Sequence, residues 1–229
     1  MPRYIEEMVS QQVRRSEIAR QRAQEAGVPH ALPVVTISRR MGSGARVIAA
    51  KLASELGWSL WDKELIDAMA ENADVSRRVV EKFDEHTISE LELFARGALG
   101  DYESAGFLYP KHLARAVGAI AKLGNAIILG RGANFLLPDA LTVRIDARDD
   151  MRIRNMMQYE NLTHDQAEAK IRESDRERRQ FMIRVFGKEK VAAFRYDLEI
   201  SMNHFSTDDA VAIIKTAVEA RFKGLQTAE

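Results

Sequence analysis

One stretch constrains the fold more than any other: Val34-Val35-Thr36-Ile37-Ser38-Arg39-Arg40-Met41-Gly42-Ser43-Gly44-Ala45-Arg46-Val47-Ile48-Ala49-Ala50. A β-branched run closes in a Gly-Ser-Gly turn, and an Ala/Leu-rich segment with apolar residues at helical spacing runs from Ile48 to Leu56. Strand, glycine turn and helix start aim free backbone N–H groups and the positive end of a helix dipole at an anion. Glycine permits positive φ and puts no Cβ between the backbone and a phosphate. The pattern approaches the phosphate-binding loop G-x-x-x-x-G-K-[ST] and departs from it in three places. Arg39 stands at the first glycine, Ala45 at the lysine and Arg46 at the hydroxyl that would bind Mg²⁺. Taken alone, the stretch suits a phosphate site and an ordinary strand-to-helix turn equally well.

The flanking sequence sets that stretch in an α/β chain. Residues 4 to about 25 read as an amphipathic helix, with Ile5, Met8, Val9, Val13 and Ile18 to one side. Ala26 to Pro33, with two prolines and a glycine, breaks it and marks the boundary between an N-terminal appendage (1–30) and the main domain (31–229). Beyond the glycine turn, strands are expected at 57–61, 125–129, 141–145 and 196–200. Helices are expected at 63–70, 75–83, 88–98, 111–123, 148–158, 163 to about 186 and 207–223, and a loop at 100–110. Thr163 opens the long helix as an N-cap. Strands alternating with helices argue for a parallel sheet covered on both faces, whose ligands sit beyond the carboxyl ends of the strands.

Composition removes several function classes. Lys plus Arg and Asp plus Glu are 34 each, so no global field draws the chain to nucleic acid or to an anionic membrane, and any basic site is local. There is no cysteine, which excludes disulfides, thiolate metal sites and a cysteine nucleophile. The five histidines have no metal-ligand spacing, so no metal-ligating residues are assigned. No apolar run reaches membrane-spanning length and the N-terminus is charged from Arg3, so a cytoplasmic protein is expected.

Three further features bear on chemistry. Arg131, between Gly130 and Gly132 directly after a strand, suits bidentate capture of a phosphate or carboxylate. The stretch Ile171-Arg172-Glu173-Ser174-Asp175-Arg176-Glu177-Arg178-Arg179 is either a lid whose arginines neutralise a transferred phosphoryl group or a solvated face laced with pairs such as Asp175–Arg179. Nucleic acid is disfavoured as its partner, because no aromatics are interleaved with the arginines. Asp62 either orients a substrate or metal-bound water or caps the helix that begins at Lys63.

Together these segments resemble the cytidylate kinase-like proteins from about Val34 to Lys223. The motifs that carry the resemblance are Ile37 to Arg46, Trp61 to Ile66, Gly130-Arg131-Gly132-Ala133-Asn134 with Pro138-Asp139-Ala140, the Asp175/Arg178 pair, and Tyr196 to Ile200. The resemblance implies a P-loop NTPase-type three-layer fold with a helical lid and an extra N-terminal helix. It also implies transfer of the γ-phosphoryl of ATP, with Mg²⁺, to a nucleoside monophosphate or similar small acceptor. Ser38, Arg39, Arg40, Gly42, Ser43, Gly44 and Ala45 would then hold ATP. Asp62, Lys63, Gly130 and Arg131 would meet the acceptor, and Arg178, Arg176, Asp175 and Arg46 would serve catalysis. Three departures accompany it: the loop lysine is absent, Gly132 replaces an aspartate that helps read the nucleoside, and the arginine that grips the acceptor phosphate is missing near Ala68. Arg39, Arg40 and Arg46 are the candidates to replace the lysine. The N-terminal helix is expected to pack on its own domain or to form a homodimer.

Overall fold

A computed structural model describes residues 3–25, 33–97 and 108–222. Five strands, β1 (Val34–Arg39), β2 (Ser59–Trp61), β3 (Ala126–Leu129), β4 (Leu141–Asp146) and β5 (Leu198–Ser201), form one sheet in the order β2-β3-β1-β4-β5. All four pairings are parallel, with Val34 beside Ala126 and Val35 beside Leu141. Eleven helices are described: α1 (Arg3–Glu25), α2 (Ala45–Leu56), α3 (Lys63–Glu71), α4 (Ala73–Val80), α5 (Glu85–Gly97), α6 (Leu108–Leu123), α7 (Ala133–Leu136), α8 (Asp149–Glu160), α9 (His164–Phe186), α10 (Lys188–Ala193) and α11 (Thr207–Arg221).

The strands' period of two divides the apolar residues between two layers. Val34, Ala126 and Ile128 face one core with Leu65, Ile66, Leu113 and Val117 of α3 and α6. Val35, Ile37, Ile127, Leu129, Val143 and Ile145 face another with Ile48 and Leu52 of α2 and Val211 and Ile214 of α11. This is the expected three-layer α/β arrangement.

Several boundaries differ from the sequence expectation for identifiable reasons. The break at 26–32 and most of the expected loop (100–107) lie outside the described residues. α6 begins at Leu108 and carries Pro110 in its first turn, where a missing N–H costs nothing. β5 starts at Leu198, because the Asp197 carboxylate accepts from both Thr142 N and Thr142 Oγ1, each at 2.8 Å, and ties the chain to β4 at its edge. The short helices α7 and α10 lack the length for a period to show in sequence.

The N-terminal helix packs on its own domain. Val9 and Val13 enter the core, Gln12 Oε1 accepts from Leu60 N at 2.8 Å, and Ser16 Oγ donates to Ser59 Oγ at 2.9 Å. Among the described residues β2 pairs only with β3, so α1 covers the open edge of the sheet.

Candidate active site

The carboxyl ends of β1 and β3, the helices α7, α9 and α10 and the residues between α10 and β5 enclose a cavity of about 1030 Å³. Ser38, Arg39, Arg40, Lys63, Gly130, Arg131, Asp175 and Arg178 all line it, so most residues singled out in the sequence converge. Gly42, Ser43, Gly44 and Ala45 form the turn beside it without lining it. Gly42 and Gly44 adopt φ of 78° and 82°, which a side chain would strain. In the first turn of α2 behind them, Val47 N and Ile48 N donate to the Gly44 carbonyl at 3.0 and 3.2 Å, and the N–H groups of Ala45 and Arg46 come before any i−4 acceptor of the helix. Ser43 Oγ is buried without a hydrogen-bond partner, an orphaned hydroxyl that a phosphate oxygen would satisfy. The turn therefore fits a phosphate group.

The three candidates for the missing loop cation have different environments. Arg46 lies largely exposed on α2 and pairs with Asp62 at 3.0 Å, outside the cavity lining. Arg40 lines the cavity, but carboxylates surround it: Asp175 at 3.2 Å, Asp149 at 3.1 Å and Asp146 at 3.6 Å. Arg39 lines the cavity, half-buried, and its Nη1 donates to the Leu129 carbonyl at 3.2 Å. Burial first, and then the neighbouring Arg178 charge, pull the Arg39 guanidinium down to about 10. Arg178 donates to the Arg39 carbonyl at 3.2 Å, and burial lowers its pKa too. Neither Arg39 nor Arg178 has an ion-pair partner among the described residues. Carboxylates act on both from a distance, Glu64 and Asp62 on Arg39 and Asp175 on Arg178, and two partly desolvated cations with no direct ion pair favour an anion between them.

Arg131 is aimed by backbone strain. Gly130, Arg131 and Gly132 are consecutive left-handed residues, with φ of 89°, 51° and 69°. A non-glycine residue in that region persists only where its surroundings enforce it. Nε of Arg131 donates to Asp67 Oδ1 at 2.5 Å, and Nη2 donates to Asp67 Oδ2. Asp67 sits on α3 next to the buried Ala68, and nothing in the sequence pattern marked it. Gly132 has a packing role, because a Cβ there would lie 2.2 Å from the Phe186 ring, so an aspartate has no room.

Asp62 caps α3, accepting from Leu65 N at 3.3 Å, which is the structural alternative of the two expected for it. Desolvation and the charge of Glu64 raise its carboxyl. Arg176 lies on the exposed side of α9, bonded to Glu173 and outside the cavity lining. Asp175 turns inward rather than pairing with Arg179: its oxygens accept from Arg40, from Arg152 Nη2 at 2.6 Å and from Met41 N at 3.5 Å. The sequence reading missed Arg152. It is fully buried on α8, donates through Nε to the Met41 carbonyl at 2.6 Å and through Nη1 to Asp149 at 2.7 Å, and so joins the glycine turn to α9.

Residues 34–204 match the cytidylate kinase-like family. The chain belongs to that family. The cytidylate kinase of Pyrococcus furiosus is 26% identical over 197 residues, covering 84% of this chain and 91% of that protein. The cytidylate kinase of Thermococcus kodakarensis is 23% identical, with the same coverage of each chain. The crystal structure of an uncharacterized protein from Eubacterium ventriosum superposes with a TM-score of 0.54 at 20% identity, over 82% of this chain and 99% of that one, which bears on the fold. This cytidylate kinase-like chain is kinase-like in family and carries no helix, among the described residues, long and apolar enough to cross a membrane.

Proposed function

We propose that the protein transfers the γ-phosphoryl group of ATP to a small acceptor, a nucleotide or a similar molecule. The observation that carries this reading is the pair of half-buried guanidinium groups of Arg39 and Arg178, neither in an ion pair among the described residues, beside a glycine turn that fits a phosphate. In such a transfer an acceptor oxygen bonds to the γ-phosphorus, the bridge bond breaks, and its electron pair leaves with ADP. The protein's part is positioning and charge stabilisation, with no covalent nucleophile required.

Within this reading Gly42, Ser43 and Gly44 hold the donor phosphates. Arg39 supplies the charge of the absent lysine, and Arg178 neutralises the group in transit. Arriving anionic oxygens would offset more of its desolvation than Asp175 does alone, so the site is preorganised for that charge. Mg²⁺ would arrive on the phosphates of ATP, as is usual for that ion. Among the described residues no three His, Cys, Asp or Glu side chains converge as a metal site, and Arg46 stands at the loop's hydroxyl position.

The test is calorimetric titration with a non-hydrolysable ATP analogue and Mg²⁺, followed by ADP release across CMP, dCMP, UMP, AMP and shikimate-like acceptors. Acceptor-dependent release is expected, and Arg39→Ala and Arg178→Ala should each reduce it by about 10²–10³-fold. Full turnover in both variants would reject the assignment. Binding without release would favour a second reading, a nucleotide-binding regulator, which Ala45 and Arg46 in the phosphate loop support.

A further inference from the structure

The cavity gathers positive charge that the chain as a whole does not have. The 229 residues balance to a formal net charge of zero, yet nine Lys or Arg side chains line the cavity against three Asp or Glu. A cleft lined by one sign of charge focuses its field on a ligand of the other sign. Arg131, which follows β3, has given Nε and Nη2 to Asp67. On the other side of β1, the wall made by β4, α10 and the residues before β5 carries Arg144, Lys188 and Arg195.

The sheet itself turns Arg144 into the cavity. Val143 and Ile145 of β4 enter the core shared with α2 and α11, so the alternation of a strand sends Arg144 to the opposite face. Its register partners are Ser38 of β1 and Glu199 of β5, and both line the cavity. The Arg144 guanidinium carbon lies 5.7 Å from the centroid of the Tyr196 ring, a cation–π contact that uses none of its N–H groups. Its carboxylate partner, Asp146 at 3.5 Å, also pairs with Arg40 at 3.6 Å and cannot neutralise both. Arg195 stands between Phe194 and Tyr196, whose ring centroids are 4.9 Å apart. Its Nη1 donates to the Ala192 and Phe194 carbonyls at 3.2 and 2.9 Å, which fixes the fork. Nε and Nη2 remain for an oxyanion, the same edge through which Arg131 holds Asp67. Neither Arg195 nor Lys188 has an ion-pair partner among the described residues.

We propose that Arg144, Arg195 and Lys188 form an anion subsite for the acceptor, so that the substrate carries a phosphate or carboxylate group apart from the oxygen it presents to the γ-phosphorus. This rests on the phosphotransferase reading. The reacting oxygen faces Arg39 and Arg178, and the anionic group is held on the β4 side of β1 while Arg131 stays with Asp67. Neighbouring strands stand about 4.8 Å apart, so Arg144 springs from the sheet one strand away from Ser38, within the span of a small acceptor.

The experiment is calorimetry on the full chain, first with a non-hydrolysable ATP analogue and Mg²⁺ and then, at saturation, with inorganic phosphate and with malonate as probes. The wild type should bind at least one probe, and the tighter of the two names the group. Arg144→Gln and Arg195→Gln should each weaken that probe by more than about threefold, and together by more than about tenfold, as expected for lost charge-assisted hydrogen bonds. No probe binding to the saturated wild type, or equal binding in the double variant, would overturn the proposal, and the second result is also what a merely solvated rim would give. With ATP in place of the analogue, bound phosphate should yield no pyrophosphate. Pyrophosphate formation would make the subsite the reacting position and overturn the proposal too. If the analogue itself does not bind, the phosphotransferase reading falls, and the same titrations on the free chain still decide whether the subsite exists. Arg195 is exposed, so Arg195→Gln alone decides the matter should Arg144→Gln fail to fold.

Discussion

At the scale of single residues, the site depends on space as much as on charge. A Cβ on Gly130 would lie 1.9 Å from Arg39 Nη1, and Gly130 holds φ of 89°. Gly130→Ala should therefore expel the Arg39 guanidinium from its place against Leu129 O while leaving the sheet intact. The expected outcome is a loss of turnover matching that of Arg39→Ala, about 10²–10³-fold, with a cooperative thermal transition retained. ADP release and a melting curve on the same preparation check both halves. Arg131, Arg178 and the glycines were legible because their chemistry is local: a strand end, a turn, an arginine-dense helix. Asp67 and Arg152 were not, because their partners lie 64 and 111 positions away and no period marks them. Arg39 was legible as an arginine before the glycine turn, but proposing it over Arg40 and Arg46 required knowing which carboxylates pair with each.

At the scale of elements, the glycine turn and α9 are fastened by one buried cation. Arg152 of α8 reaches Met41 O, Asp149 and Asp175 together, and Arg40 closes the same set of carboxylates from the turn. Gly42 belongs to this joint, since a Cβ there would stand 2.6 Å from the Arg152 carbonyl oxygen. Replacing Arg152 by Met keeps the volume but leaves Asp175 and the Met41 carbonyl without their buried partner. Breaking a buried pair from one side costs about 3–5 kcal/mol. At about 2–4 °C per kcal/mol for a chain of this size, the melting temperature should fall by roughly 6–20 °C. A drop within experimental error in differential scanning calorimetry would show that the joint is dispensable. The helix α9 was readable from its Thr163 cap, which the structure shows completed as a capping box with Gln166. What α9 faces was not readable, because an arginine-rich helix face looks the same in sequence whether it meets water or a cavity.

At the scale of the whole molecule, parallel strands and a helix on each side were legible from alternation alone, while α1 was ambiguous between its own domain and a second copy. The structure gives its inner face to the domain: Val9 and Val13 are in the core, and Gln12 satisfies an N–H of the edge strand. Each buried valine is worth about 1.5–3 kcal/mol. Removing residues 1–25 should therefore lower the melting temperature and bare the edge of β2, a template for pairing with another chain. Light scattering against protein concentration should show association in the truncated form that the full chain lacks. A monomeric, equally stable truncation would mean that the cap is ornamental. The edge position of β2 also has a temporal side. The helix is synthesised before anything it rests on, and β2 has no sheet neighbour until β3, ending at Leu129, has been made. At about 5–20 residues per second, α1 leaves the ribosome roughly 5–20 s before its seat exists. A segment made this early is thus among the last of its layer to dock, and during that interval its valine face is open to whatever the nascent chain meets.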